Sequence, residues 1–360
     1  MNGSSMNDGA MNASAMNASA MNASAMNATA MNDGAMSGKR AAPRRGVVLG
    51  AGGVLGASWM IGAVRALHDV EGVDPRQAEV LVGTSAGSVL AGLLAAGVGV
   101  DTLVNHQRGV LVEGDPRLHY DYDGDTAVPP RPRLGIGSRS LLARSARHPR
   151  QVPTLAPLYA LLPAGRASIG RVGDVVRAAR GGSDSWPRRP ACWVTAMDYD
   201  TGRRVVFGRA GAPRPGLPAA VMASCAIPGW YAPIVIDGRR YVDGGTCSAT
   251  SLDLLAGRGL DEVYVLSPMA SVAPDQPTSV MARVERRWRR RVTRLLHRDV
   301  ERVRAGGTNV TLLTPGPEDL AAIGANLMNP GRRDHVLETA LRTTTAVLRE
   351  GAAGRFADTG

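Results

Sequence analysis

Ser85 sits between small residues in Gly83-Thr84-Ser85-Ala86-Gly87, a G-x-S-x-G spacing. An apolar run, Val80-Leu81-Val82, precedes it, and a long small-and-apolar run from Ser88 to Gly97 follows. A strand entering this pattern and a helix leaving it would put Ser85 on a sharp turn with its hydroxyl exposed. The two glycines supply the close packing that such an elbow requires. This is the geometry of a serine nucleophile, but the same spacing also occurs as a plain strand-to-helix turn. The nucleophile's partners decide between the two.

A serine hydroxyl is a poor nucleophile at neutral pH and needs a base within hydrogen-bond reach. The six histidines are poor candidates. His68 ends a helix beside Asp69, and His106, His119 and His148 have no glycine-framed turn to aim them. His297 falls inside a basic helix and His335 opens the last one. Asp243 is better placed. It ends an apolar strand and is followed by Gly244 and Gly245, which let the chain turn sharply while the carboxylate projects. A second Asp-Gly pair, Asp237-Gly238, lies six residues earlier and already supplies a hairpin turn, so Asp243 is not needed for pairing. An aspartate acting as a base near neutral pH needs a pKa above its usual ~3.9, most simply through burial.

A glycine-rich loop, Gly50-Ala51-Gly52-Gly53-Val54-Leu55-Gly56, follows the strand Val47-Val48-Leu49. As a dinucleotide fingerprint it would require an acid at the end of the next strand to hold a ribose. That strand ends in Gly83-Thr84-Ser85, with no acid. As an oxyanion hole the loop offers unencumbered backbone amides at a helix N-terminus, where the helix dipole reinforces them. Ser85 on the adjacent strand favours the oxyanion reading over a nicotinamide oxidoreductase.

Positioning these groups takes a particular set of elements. The order strand, glycine loop, helix to about His68, strand Glu79–Val82, Ser85 turn and helix is a β-α-β-α start typical of a parallel sheet. Residues 114–170 are broken by eight prolines. Apolar groups around Leu155–Leu162 there favour a packed lid over a linker. Strands resume at Cys192–Ala196 and Arg204–Phe207, with a small-residue helix at Pro218–Ala226. A hairpin Ile234-Val235-Ile236/Tyr241-Val242 leads into Asp243, and strands Val263–Leu266 and Val310–Leu313 flank a basic helix. The last helix covers 334–349. Folded sequence thus runs from 45 to 350, with a short C-terminal tail at 351–360. Residues 1–44 form a separate tail whose first 36 residues repeat a Met-Asn-x-x-x pentapeptide. A five-residue period builds no continuous apolar face, so disorder is expected there.

Taken together, the ordered motifs resemble the patatin-like phospholipase family over roughly residues 46–257. They are the glycine loop, Gly83–Gly87, Ala223-Ser224-Cys225-Ala226-Ile227-Pro228-Gly229 and Tyr241-Val242-Asp243-Gly244-Gly245. The resemblance implies a three-layer α/β/α fold with a mostly parallel central sheet, and hydrolysis of lipid acyl esters by a Ser–Asp dyad without histidine. On it Ser85 is the nucleophile, Asp243 the base, and Gly52, Gly53 and Val54 the oxyanion hole, supported by Ala51, Gly56, Gly83, Gly87, Gly244 and Gly245. No metal or cofactor is implied. Two positions depart from the family's loop, which reads three glycines, a residue, Arg and Gly. Ala51 replaces the first glycine, and Leu55 replaces the arginine, removing a cation near the site.

The formal net charge is +11, nearly all from arginine. Genomic composition and attraction to anionic surfaces are both consistent with that bias. Residues Arg283–Arg304 hold ten arginines against Glu285, Asp299 and Glu301, a net +7. Val284, Trp288, Val292, Leu295 and Val303 recur there at near-helical spacing, which makes a basic amphipathic helix. It is either a surface helix packed on the sheet or a peripheral membrane contact. No nucleic-acid-binding fold is present. Three cysteines without metal-ligand spacing, and no run of ~20 apolar residues, point to a reducing, cytoplasmic setting with any membrane contact made from outside. A lipid or phospholipid is the expected substrate. The alternative is a catalytically weak lipid- or membrane-binding protein that keeps the fold.

Overall fold

A computed structural model describes residues 42–116, 118, 135–272 and 280–357. The pentapeptide repeat, His119 and the 119–134 part of the proline-rich insertion lie outside the described residues. Strand β1 (Arg45–Leu49) feeds helix α1 (Gly53–Glu71), and β2 (Val80–Thr84) feeds α2 (Ala86–Ala95), the expected β-α-β-α start. Helices α3 (Val100–Gln107), α4 (Arg139–Arg147), α5 (Ala156–Leu161) and α6 (Gly170–Ala179) follow. Then come β3 (Ala191–Asp198), β4 (Arg204–Phe207), α7 (Leu217–Cys225), β5 (Ile234–Ile236) and β6 (Arg239–Asp243). The chain closes with β7 (Glu262–Leu266), α8 (Val280–Arg304), β8 (Asn309–Leu313), α9 (Pro317–Ile323) and α10 (Arg333–Ala357). Helix α10 continues past the expected end at 349 through an Ala-rich stretch with no proline to stop it.

The eight strands form one sheet in the order β5-β6-β3-β2-β1-β7-β8, with β4 also on β3. β3, β2, β1, β7 and β8 run parallel, and β4, β5 and β6 add antiparallel pairing at the β3 side. The protein is therefore an α/β fold with a mostly parallel central sheet flanked by helices. Alternation along the strands sends side chains to opposite faces. Leu49, Leu81 and Leu266 pack beneath α1, α2 and α10. Val48, Val80, Val82 and Val265 pack against Val292, Leu296, Val300 and Val303 of α8. Val292, Val303 and in part Trp288 of the expected stripe are thus spent on the sheet, whereas Leu295 is exposed, as are Arg287, Arg290, Arg294 and Arg298.

Register brings the distant motifs to one edge. Leu49 of β1 pairs with Gly83 of β2, so the glycine loop and the Ser85 turn leave the sheet side by side. Thr84 pairs with Thr195 of β3, but β3 continues to Asp198, two residues past the expected end at Ala196. On that overhang β6 returns antiparallel, with Tyr241 opposite Asp198 and Asp243 opposite Ala196. The overhang is what delivers Asp243 to the level of Ser85. The turn that starts β6 is Asp237-Gly238, with φ of 48° and 73°, so Asp237 is structural as the sequence indicates. Over this end of the sheet α4 and α5 pack Leu141, Ala156 and Ala160 onto Met197, Tyr199 and Val242.

Candidate active site

Ser85 occupies the turn between β2 and α2 with φ 53° and ψ −124°, a conformation costly for any residue with a Cβ. It is held from both sides. Its amide donates to Ser224 Oγ at 2.9 Å, and its carbonyl accepts from Ser88 Oγ at 2.7 Å. Ser224 Oγ in turn donates to the Thr195 carbonyl at 2.7 Å, tying the turn to β3. Gly87 allows the close approach: a Cβ there would lie 2.0 Å from the Leu49 carbonyl oxygen. Gly83 is similarly pressed, with Ser88 Cα 2.5 Å from its would-be Cβ.

The Ser85 hydroxyl donates to Asp243 Oδ2 at 2.6 Å. The other carboxylate oxygen, Oδ1, accepts the Gly245 amide at 2.7 Å, which fixes the plane of the carboxylate. Gly244 sits directly under the Thr195 carbonyl, where a Cβ would lie 2.2 Å away. Both Ser85 and Asp243 are buried. Burial pushes the Asp243 carboxyl up to about 6, against the opposing pull of the Ser85 and Gly245 hydrogen bonds. The side chain therefore changes charge just below neutrality, the range useful to a general base.

The glycine loop faces this pair. The amides of Gly50, Ala51 and Leu55 are committed, to the carbonyls of Leu266 (2.9 Å), Ala249 (2.8 Å) and Leu327 (3.0 Å). Ala51 thus supports the loop and is not a free donor. The amides of Gly52, Gly53 and Val54 meet no acceptor among the described residues and stand at the first turn of α1. The Gly56 amide closes the loop onto the Gly52 carbonyl at 2.9 Å. Gly52 packs on Pro268, whose Cγ lies 2.6 Å from where a Cβ would be. The Pro268 carbonyl accepts from Arg289 of α8, whose guanidinium also binds Glu285 and is 1% exposed. Leu55, at the position of the family's arginine, is fully buried in the core under α1.

Beside Ser85 opens a cavity of about 130 Å³ between α1, α2, α3 and α6, on the sheet face opposite α8. Gly53, Val54, Ile61, Leu90, Leu103 and Val172 contribute to its wall, and among the described residues no Asp, Glu, Lys or Arg lines it. His106 is in that wall, a placement its sequence surroundings did not indicate. Cys192 and Cys225 are free and buried, as their apolar surroundings suggest.

The residues singled out in the sequence therefore meet at one point. Those it missed are the supports: Ser224, Thr195, Pro268 and Arg289. Ser224 carried a signal, lying in the Ala223–Gly229 motif. Thr195, Pro268 and Arg289 act through register and long-range packing and carried none.

A model of the family described as "Patatin-like phospholipase" matches residues 47–256, more than half of the chain and inclusive of Gly52, Ser85 and Asp243. Among solved structures, the chain is similar to VipD from Legionella pneumophila. That pair has 13% identity and a TM-score of 0.42, with 86% of this chain and 67% of that one covered. It is also similar to the type III effector protein ExoU, with 17% identity and a TM-score of 0.36, over 86% of this chain and 53% of that one. Both likenesses are remote, and the chain spans about half the length of the second.

Proposed function

The chain belongs to the patatin-like phospholipase family, whose activity is lipid ester hydrolysis, and from that premise we propose that Ser85 and Asp243 carry out the reaction. The carrying observation is the 2.6 Å hydrogen bond from Ser85 Oγ to Asp243 Oδ2 at the mouth of an uncharged apolar cavity. Asp243 accepts the Ser85 proton as Oγ bonds to the ester carbonyl carbon. The carbonyl oxygen takes the negative charge and rests on the Gly52, Gly53 and Val54 amides, with the dipole of α1 behind them. Collapse breaks the ester C–O bond, and Asp243 returns the proton to the departing alcohol or lysolipid. Asp243 then deprotonates a water that attacks the acyl-enzyme, and Ser85 regains its proton as the fatty acid leaves.

The cavity suits the acyl chain: among the described residues its lining offers dispersion contact and no charge for a head group to pair with. Among the described residues no helix is long and apolar enough to cross a membrane. The arginines on the outer face of α8 add a peripheral, long-range attraction for an anionic lipid surface, from the sheet face opposite the cavity.

The test is a fluorophosphonate probe together with p-nitrophenyl ester turnover. The wild-type chain is expected to be labelled at Ser85 and to hydrolyse the ester. Ser85→Ala and Asp243→Ala should be folded and inactive. Near-wild-type turnover in either variant would rule out the dyad, and a folded wild-type chain that is neither labelled nor active would indicate a lipid-binding role instead.

A further inference from the structure

The cavity wall contains two pieces of chain that are close in sequence. Leu103, His106 and Gln107 of α3 line it, and so does Leu118, which is 3% exposed. The excursion between them is therefore anchored in the cavity wall at both ends. The tip is Val110-Leu111-Val112, exposed to 49%, 87% and 46%. Leu111 is the most exposed of the large apolar residues described. Single exposed apolar side chains are ordinary, but three in a row on a built turn are not.

The turn is built. The Val110 amide donates to the Asn105 carbonyl at 2.8 Å, the Gly109 amide to that of His106 at 3.2 Å, and the Asp115 amide to that of Val112 at 3.2 Å. Arg108, at its base, pairs with Glu338 of α10 at 2.7 Å. The exposure therefore belongs to a held conformation attached to the cavity wall. The charged residues that flank the tip cancel, Arg108 and Arg117 against Glu113 and Asp115. They offer no net charge for an anionic surface to attract, so what covers the tip is gained by apolar burial and not by charge.

We propose that Val110-Leu111-Val112 is the segment that seats the cavity mouth on a lipid surface, entering the acyl region of the aggregate that holds the substrate. This rests on the reading of the chain as a lipid ester hydrolase. An apolar segment anchored in the cavity wall at both ends would bring the aggregate to the cavity, so that an acyl chain could pass into it without crossing water. It is separate from the arginine face of α8, which lies across the sheet and would act through charge.

The experiment uses the full chain and phosphatidylcholine vesicles, measured by flotation at low and high salt. Leu111→Asp and Leu111→Trp are exposed substitutions that leave Ser85, Asp243 and the glycine loop intact. Leu111→Asp is expected to weaken partitioning on the order of tenfold or more at both salt concentrations, the factor for withdrawing one buried leucine from an apolar phase. Phospholipid hydrolysis in vesicles should fall in parallel, while turnover of a soluble short-chain p-nitrophenyl ester stays at the wild-type value. Leu111→Trp should show blue-shifted, quencher-protected emission on vesicles. Unchanged partitioning of Leu111→Asp, or equal loss of soluble-ester turnover, would overturn the proposal. So would a wild-type dimer that Leu111→Asp converts to monomer, since a second copy would then cover the tip. If the wild-type chain binds vesicles through Leu111 but hydrolyses no ester, the docking surface stands and the hydrolase reading fails.

Discussion

The Oγ of Ser85 and the Oδ2 of Asp243 are 2.6 Å apart although 158 positions separate them in the chain. Neither residue reaches the other through its own element. Ser85 is placed by a strained turn clamped by Ser88 and Ser224, and Asp243 by the overhang of β3 on which β6 pairs. The surrounding packing buries the carboxylate and raises its pKa, while the Ser85 hydrogen bond pulls it down. Geometry and basicity at this site therefore have separate causes, and each can be measured.

The pH profile reads the basicity. Asp243 must be ionised to accept the Ser85 proton, and burial holds its pKa at about 6. The kcat/KM for a soluble ester should therefore climb with pH and level off above about 7. At pH 5 it should be about a tenth of the plateau, since only that fraction of a group with this pKa is ionised. A carboxylate at its ordinary value would leave the rate flat from pH 5 upward. A flat profile over that range would show that Asp243 is not the titrating base.

The same shift has a sign for stability. The folded value of about 6 lies above the model value of 3.8, so the native state holds the proton more tightly than the unfolded chain. The advantage is complete below about pH 4 and is lost as pH rises through 6. Above that, the ionised Asp243 is a standing cost. Asp243→Asn keeps the shape and an oxygen for the Gly245 amide while removing the charge. It should raise stability by about 1–3 kcal/mol at pH 8, with the gain vanishing near pH 4, as urea midpoints at the two pH values would report. An inactive but more stable variant is what a site strained for catalysis produces.

The sequence made legible those parts whose cause is local. Short continuous apolar runs marked β1, β2, β5 and β7, and Asp237-Gly238 marked the hairpin before β6. The glycines around Ser85 and after Asp243 were visible because close approach leaves no room for a side chain. The basic helix was legible in part: Val292 and Val303 of its expected stripe are buried on the sheet and Trp288 partly so, but Leu295 is exposed and Leu296 and Val300 take up the buried face. The long-range relations were not. Nothing near Ala196 says that β3 continues to Asp198, because only pairing with β4 and β6 makes those two residues strand. Leu55 read as the loss of a cation from the site, yet its place on α1 turns it into the core. The cavity draws its wall from four helices far apart in sequence, and no single stretch encodes it.

Arg289 provides the last test, because it lies on the basic helix yet serves the glycine loop. Its buried guanidinium holds the Pro268 carbonyl, and the Pro268 ring fills the space beside Gly52 where a Cβ would lie 2.6 Å away. Removing that donor should loosen Pro268 and let the Gly52–Val54 amides drift from the oxyanion position. A single such donor is worth roughly a hundredfold in rate. A partial displacement in Arg289→Met should cost on the order of tenfold in kcat, with KM little changed. Glu285 keeps Arg286 as an ion-pair partner, so the fold should lose only about 1–3 kcal/mol for the orphaned carbonyl. Measured well below the unfolding temperature, Arg289→Met should slow both ester turnover and fluorophosphonate labelling of Ser85. Arg289→Lys, which can still donate to Pro268, should recover most of the rate. Gly52→Ala, which forces a Cβ onto Pro268 directly, should reproduce the kcat defect from the other side of the contact. If Arg289→Met loses stability while keeping kcat and the labelling rate, Arg289 braces the fold alone and the oxyanion loop stands without it.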